Sequence, residues 1–296
     1  MQYEKRALTF EEQADLLLQR GLQADRSVLI ARLHTVSYYR LNGYLHPYRQ
    51  QNDAFIPGTS LEQVWRRYTF DRQLRLLVLD AIERVEVSMR TSLIYRHVHA
   101  YGPFGYTAPA NLPGLDDDRY GAFLARVFDD TRRSGEVFVQ HFQSKYGDRH
   151  GYLPLWMAAE IMSFGMMFTL LKGVEPAMKH TIAGEYGIPG AVLVSWIGTL
   201  NVIRNICAHH GRLWNRELGY KPLIPNGRKY PDWHDPFTIP NNRIFAVLTI
   251  LKYLLRYAAP WSAWPRRFQS LLGQYTDIPR KNMGFPEDWE DFPIWR

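Results

Sequence analysis

The sequence predicts an all-α protein. Apolar residues recur with helical spacing along almost the whole chain, and no stretch shows the apolar and polar alternation of a convincing strand. Residues that typically cap helix N-termini precede several of these stretches. With 296 residues, of which 46% are hydrophobic, the chain is long enough to bury a full core, which argues against a disordered protein.

The first two helices are predicted from their caps. Thr9 and Glu12 have the spacing of a capping box and open a helix that should end near Arg20. Asp25 is in position to cap a second helix. The stretch that follows, residues 37–49, is dense in Tyr and Arg. We interpret it either as a nucleic-acid contact or as an aromatic packing element.

A much longer helix is predicted from the capping-box pair Ser60 and Gln63 to about Ala100. Glu86 and Arg90 form an i,i+4 pair on this helix, which contributes little where it is exposed. If Arg90 instead lies buried near the Arg–His motif described below, it becomes a second phosphate ligand. The predicted buried face of the helix consists of Leu74, Leu77, Val78, Ala81, Val85 and Ser88.

The second half of the chain continues as helices. An apolar run at residues 153–171 contains Glu160, whose charge would cost roughly 2.5–3.5 kcal/mol inside a membrane, so a buried core helix is predicted there. Gly211 lies where a C-cap glycine is expected. Residues 218–240 form a basic, Pro-rich connection, and the tail from residue 277 is irregular. The predicted helices cover residues 117–133, 136–146, 153–172, 175–186, 189–210, 241–257 and 263–273.

The most informative segment is the end of the helix predicted at residues 189–210. It carries Arg204 and Asn205 one helical turn before His209 and His210. Arg binds phosphate oxygens in a fixed fork geometry and His titrates near neutral pH, so these side chains suit a phosphodiester site. Asn205 and His209 are four residues apart and therefore neighbours on a helix. The alternative is an ordinary helix end whose cations cap carbonyls or pair with carboxylates.

Two faces of this helix are predicted from its period. The apolar face consists of Leu193, Trp196, Ile197, Leu200, Ile203 and Cys207. A second face of small and polar residues, interrupted only by Val194, would let another helix or a backbone approach closely. This small-residue face consists of Gly198, Asn201, Asn205 and Ala208.

The charge of the chain favours a polyanionic partner. The net charge is +7, and residues 204–230 contain six basic residues and one acid. Trp214, Tyr220 and Tyr230 in this segment offer rings on which unpaired bases could stack, or else belong to the core. The candidate RNA-binding residues are Arg212, Arg216, Lys221, Tyr39 and Arg40.

Other classes of protein have little support. A single cysteine, Cys207, excludes an intramolecular disulfide framework and fits a reducing cytosol. The N-terminus has no apolar signal region, so a cytoplasmic protein without a membrane span is predicted. The adjacent His209 and His210 are a poor helical spacing for a metal, so neither a metal nor another cofactor is predicted.

Several motifs in a fixed order resemble the Abi-like family, the AbiD/AbiF-type proteins of bacterial abortive infection. The likeness spans roughly residues 38–216 and returns near the C-terminus. The segments that carry it are residues 37–44, 70–75, 83–90, 154–165 (in which Trp156 and Glu160 stand), 204–216 and 283–286.

The resemblance implies membership of the wider HEPN class of α-helical proteins, many of which are metal-independent RNases. Their pattern of Arg followed after four to six residues by His matches Arg204, Asn205 and His209, with His210 within the permitted spacing. It implies a HEPN-like bundle at residues 59–216, an N-terminal helical region at 1–58, and a C-terminal elaboration at 217–296.

The resemblance also implies a function in phage defence. Arg204 would stabilise phosphate charge, Asn205 would position the phosphate, and His209 would act as acid or base, leaving 2′,3′-cyclic phosphate ends. Since one imidazole cannot easily serve both sides of the phosphorus, a homodimer with a composite site is expected. A regulatory small RNA or protein partner is compatible with this function. The alternative is a non-catalytic RNA-binding or antitoxin-like module that holds a small RNA in a basic groove.

Overall fold

A computed structural model describes residues 6–296 together with residues 2 and 4. Within this part of the chain the fold consists of α-helices, short 3-10 helices and loops, and β-type pairing is limited to isolated bridges. The predicted all-α class is therefore confirmed. The α-helices are α1 (Phe10–Gln19), α2 (Arg26–Val36), α3 (Tyr38–Leu45), α4 (Leu61–Tyr101), α5 (Asp117–Arg133), α6 (Val137–Tyr146), α7 (Leu155–Ile161), α8 (Phe164–Gly173), α9 (Pro176–Gly184), α10 (Gly190–Ala208), α11 (Ile244–Ala258) and α12 (Trp264–Gln274).

The chain divides into two compact units. The first contains the chain up to Leu76 and the segment Phe268–Pro279. The second contains Leu77–Arg267 and Arg280–Arg296. The motif of interest belongs to the second unit. The predicted bundle boundaries at residues 59 and 216 stay a prediction.

The predicted N-caps are present. The Thr9 side chain accepts a hydrogen bond from the backbone of Glu12, whose own side chain bonds back to Thr9. Asp25 accepts from the third residue of α2. Ser60 and Gln63 bond reciprocally at 3.3 Å where α4 begins. Each cap satisfies backbone N–H groups that have no partner inside the helix, which explains why these helices begin where they do.

The Tyr- and Arg-rich stretch of the first unit serves packing in part. Tyr44, on α3, is buried, and its hydroxyl donates to the Asp71 carboxylate at 2.6 Å. Arg75 donates to the Tyr44 hydroxyl at 3.2 Å and forms an ion pair with Asp71. This buried network lies inside the first unit. In contrast, Tyr39 on the same helix is 88% exposed.

The core of the second unit centres on α10 and α11. Residues 195–200 and 244–251 are buried throughout. α10 packs against α8, α9 and α11. The predicted apolar positions of α4 in this unit are buried, whereas Ser88 is half-buried, with its hydroxyl 2.9 Å from that of Tyr186.

The single helix predicted at residues 153–172 is wrong. The chain forms α7 and α8, separated at Met162, whose ψ of 136° is extended. Ser163 then caps α8, and its hydroxyl accepts from the backbone N–H of Met166 at 3.3 Å. A serine at this position offers the backbone an alternative to continuing the helix, and apolar periodicity alone does not register it.

The most membrane-like helix is α10. By length and composition it is apolar enough to cross a membrane, but 56% of its apolar window is buried inside the protein. A core helix that is mostly buried in the protein can have the same length and apolar composition, and α10 fits that description. The cytoplasmic location stays a prediction.

Candidate functional site

The motif lies at the C-terminal end of α10 and is open to solvent. All six residues of the predicted apolar face are buried, which fixes the rotation of the helix. Arg204 is half-buried, while Asn205, His209 and His210 are exposed. The groups that would meet a phosphodiester are therefore accessible, with Arg204 at the border between core and solvent.

Arg204 and Asn205 are in contact. Arg204 Nη1 donates to Asn205 Oδ1 at 3.4 Å. Because that oxygen accepts from the guanidinium, the amide NH₂ of Asn205 remains able to donate. Two donor groups are thus placed next to each other, as an anionic oxygen requires.

The end of α10 differs from the prediction. His209 is the C-cap, and the next residue, His210, has a φ of 58° in the left-handed region. The His210 N–H bonds to Cys207 O at 3.0 Å, and the Gly211 N–H bonds to Ile206 O at 2.7 Å. These two bonds form a Schellman motif with His210 where a glycine usually stands. The predicted cap at Gly211 is thus displaced by one residue.

His209 and His210 differ in backbone conformation. His209 still has near-helical backbone angles, with φ −88° and ψ 14°, whereas His210 does not. A non-glycine residue in this region costs roughly 1–3 kcal/mol and occurs preferentially at functional sites. The turn at His210 therefore costs stability.

Helix α4 brings a second cation to the site. Arg90 Nη2 lies 2.7 Å from Glu86 Oε1 and 3.3 Å from the backbone oxygen of Met162. The side chains of Arg90 and Glu86 are 17% and 16% exposed. The predicted pair is thus largely buried, unlike an ordinary surface pair.

Glu86 connects α4 with the motif. Burial raises the pKa of its carboxyl above the usual value, and the charges of Arg90 and Arg204 oppose this shift. Arg90 thus pairs with this carboxylate directly, and Arg204 acts on it through its charge. Arg90 is thus largely buried, as one part of the expectation required, and its role as a second phosphate ligand stays a prediction.

Glu86 was missed as a site residue. The sequence indicated Glu86 only through its i,i+4 spacing to Arg90, which puts both side chains on the same face of a long helix. Its electrostatic interaction with Arg204, which is 118 positions further along the chain, depends on the tertiary structure, and helical periodicity does not contain this information.

The small-residue face of α10 is used inside the chain. A Cβ on Gly198 would lie 2.9 Å from the Phe168 ring and 3.2 Å from Tyr220, and a Cβ on Gly165 would lie 3.6 Å from Asn201. The close approach that this face predicts is thus made by α8 and by the segment after α10. Only the end of the face, at Asn205 and Ala208, stays exposed.

The basic segment after α10 places Arg212 and Arg216 near the end of the helix. Arg216 is exposed, and its Nε donates to the backbone oxygen of Arg212 at 2.9 Å. Its Nη2 would lie 3.8 Å from a Cβ on Gly211. Arg212 is half-buried. Both arginines are thus close in sequence and space to the histidines, and their contact with RNA stays a prediction.

Other predicted contact residues lie elsewhere. Lys221 is exposed and follows Tyr220, which packs beside Gly198, about 16 Å along α10 from His209. Trp214 is fully buried, so of the two interpretations it belongs to the core and offers no stacking surface. Tyr220 is 45% exposed. Tyr39 and Arg40 belong to the first unit.

The part of the chain that the structure describes contains no group of three or more His, Cys, Asp or Glu side chains placed to hold a metal ion. A metal-free reaction stays a prediction. Cys207 is 2% exposed, as its place on the apolar face indicates.

The protein is all-α and carries an Arg–His motif at the end of a core helix, and a comparison with known families identifies the family within this class. The family model described as "Abi-like protein" matches residues 31–215, which is more than half of the chain. The chain therefore belongs to the Abi-like family, whose name connects it with abortive infection. No curated protein and no solved structure matches the chain. The HEPN assignment stays a prediction.

Proposed function

We propose that the protein is a metal-independent endoribonuclease of bacterial abortive-infection defence. The observation that carries the proposal is the accessible set of Arg204, Asn205 and His209, near enough to the buried Glu86–Arg90 pair for the charge of Arg204 to act on Glu86. A cationic site with an adjacent imidazole suits a linkage that becomes more anionic as it is broken. RNA is the substrate class because its 2′-hydroxyl supplies the nucleophile.

In the proposed reaction, the 2′-oxygen attacks the adjacent phosphorus and the bond to the 5′-oxygen breaks. The proton of the 2′-hydroxyl goes to a base, and an acid gives a proton to the departing 5′-oxygen. His209 fills one of these roles, and Arg204 with Asn205 donates to the phosphorane oxygens. The products are a 2′,3′-cyclic phosphate and a 5′-hydroxyl.

Glu86 and Arg90 are positioning residues in this scheme. The carboxylate holds the Arg90 guanidinium, and its negative charge also offsets the positive charge of Arg204, because charges in a half-buried site are weakly screened. Arg90 is further fixed by its bond to Met162 O at 3.3 Å. A guanidinium that is already oriented loses less entropy when phosphate binds.

The proposal includes a homodimer. Base and acid must act on opposite sides of the phosphorus, and a two-fold interface would bring a second His209 to the same linkage. The exposed side of α10 available for this contact carries Val202, 41% exposed, with Asn205, Ala208 and His209. Sedimentation of the active protein tests it, and activity from a strictly monomeric species would contradict it.

The test of the proposed reaction uses purified protein, end-labelled RNA and excess EDTA. We expect fragments with 2′,3′-cyclic phosphate and 5′-hydroxyl ends. The same RNA with 2′-O-methyl groups should stay intact, because its nucleophile is blocked. RNA that is bound but never cut would instead favour an RNA-binding or antitoxin-like module.

A further inference from the structure

A cavity of about 380 Å³ lies beside the candidate site, between α4 and α7. Its walls include Ile94 and Val98 of α4, and Trp156 of α7. Tyr95 and Trp156 both line it and are 62% and 49% exposed, which is unusual for large aromatic side chains. The cavity is therefore open and has flat apolar rings at its edge.

The aromatic rim is held in place. The Tyr95 ring lies against the His99 ring, with centroids 4.0 Å apart. His99 Nδ1 lies 2.7 Å from the Tyr95 backbone oxygen, and since a carbonyl only accepts, Nδ1 donates. In the neutral ring, Nε2 is then an acceptor. The rim thus presents rings in a defined orientation.

One carboxylate at this cavity has no partner. Glu160 lines the cavity, is exposed, and makes no hydrogen bond or ion pair with another described residue. It lies one helical turn after Trp156 on α7, so the two side chains share a face. A carboxylate beside aromatic rings is suited to a flat ligand whose edge carries N–H donors.

Arg90 joins this cavity to the phosphate site. It lines the cavity and also forms the ion pair with Glu86, whose carboxyl senses Arg204. From Arg90 the cavity extends past Val98, about 12 Å along α4. A nucleotide with its phosphate near Arg90 would therefore place its base along the cavity.

We infer that this cavity binds an unpaired guanine of the RNA next to the scissile phosphate; the inference rests on the proposed function. Guanine places two adjacent donors, N1–H and the N2 amine, on its Watson–Crick edge, and these match the two oxygens of Glu160. The other three bases present at most one donor beside acceptors. The base stacks on Trp156 and Tyr95, as unpaired bases do on exposed aromatic rings.

The experiment measures binding rather than cleavage. The probes are 2′-O-methyl oligonucleotides that cannot be cut and that differ at one base, which is G, A, C, U or inosine. We expect the guanine probe to bind about tenfold or more tightly than those with A, C or U. Inosine lacks the N2 amine and should fall between guanine and the others.

Two variants assign the effect. Glu160→Gln should remove the preference for guanine, and Trp156→Ala should weaken all probes by about tenfold. The control is Glu290→Gln, the same change at an exposed carboxylate outside the cavity. It should leave the guanine preference and the affinity for all probes unchanged.

Equal binding of all bases, or a guanine preference that Glu160→Gln leaves intact, would overturn the inference. So would a Trp156→Ala variant that loses self-association but binds RNA normally, because the rim would then be a protein contact. Guanine-selective binding by a protein that cuts no RNA would refute the nuclease proposal alone. RNA cleavage without any base preference would refute the guanine-binding site but leave the nuclease proposal standing.

Discussion

Arg90 and Glu86 form a largely buried ion pair at 2.7 Å on α4, and the carboxylate of this pair also senses Arg204 on α10. Buried carboxylates usually need such partners, since removing one charge from the group leaves another uncompensated. Two distant parts of the sequence are therefore coupled electrostatically.

Replacement of this carboxylate should separate binding from turnover. In Glu86→Gln, Arg90 loses its ion-pair partner and Arg204 loses a nearby negative charge, so RNA affinity should be kept or increased, and its salt dependence should become steeper by about one phosphate contact. The cleavage rate should fall about tenfold or more, because the guanidinium of Arg90 is no longer fixed. Binding titrations and single-turnover cleavage at several salt concentrations measure both.

The matched control is Glu83→Gln, which removes an exposed carboxylate from the same helix. It should leave the turnover close to that of the wild type. Equal losses of turnover in the two variants would show that overall charge, rather than the position of Glu86, matters.

The left-handed backbone at His210 can be isolated by comparing two substitutions. His210→Gly and His210→Ala both remove the imidazole, but only Ala keeps a Cβ at a φ of 58°. The Gly variant should be more stable by about 1 kcal/mol, because Gly adopts this region without steric cost. Urea unfolding measures the difference, and equal stabilities would contradict the account of the turn.

The same pair of variants tests which imidazole reacts. If His209 is the acid or base, both should keep most of the cleavage rate. A loss of a hundredfold or more in both, with folding intact, would assign the chemistry to His210 instead.

The buried network of the first unit should dominate local stability. Asp71→Ala leaves the guanidinium of Arg75, whose side chain is 6% exposed, without its carboxylate. We expect a loss of about 3–5 kcal/mol. Tyr44→Phe removes both hydrogen bonds of the hydroxyl, to Asp71 and from Arg75, and should cost roughly 2 kcal/mol. Unfolding curves followed by circular dichroism report both, and the ranking would be refuted if Tyr44→Phe cost more.

His97 should make the protein sensitive to mild acid. It is fully buried, neither ring nitrogen has a hydrogen-bond partner among the described residues, and burial lowers its pKa from 6.5 to about 4. Between these two pH values His97 is therefore protonated in the unfolded chain and neutral in the folded chain. Stability should fall as the pH falls from about 6.5 to about 4, by roughly 3 kcal/mol in total.

The control for this effect is His97→Phe, which keeps an aromatic ring and removes the titration. The stability difference between variant and wild type should grow as the pH falls through this window. A difference that is constant between pH 7 and pH 4.5 would mean that His97 is not held neutral.

The start of a helix was predictable where a side chain caps it. Thr9, Asp25 and Ser60 each mark a helix that begins at the next residue, since a cap acts within one turn of its own sequence. Ser163 carried the same kind of signal inside an apolar run, and the run concealed it. Local chemistry thus fixes helix ends better than hydrophobic periodicity does.

Only the part of the site that lies on one short segment of the sequence was predictable. Arg204, Asn205 and His209 lie on one short segment, and helical geometry relates them directly. The participation of Glu86 depends on the tertiary structure that brings it within the electrostatic range of Arg204, which no local pattern contains. Similarly, Gly211 is the residue expected at a helix end, and the choice of His210 follows from the two backbone bonds that close the turn.

The most direct measurement is the cleavage rate of labelled RNA in EDTA by Arg204→Ala and His209→Ala, beside Arg133→Ala and His141→Ala as controls on exposed positions of α5 and α6. The account predicts that both site variants lose cleavage by a factor of about a hundred or more with unchanged circular dichroism, while both controls cut at the wild-type rate. Cleavage at the normal rate by both site variants would contradict it.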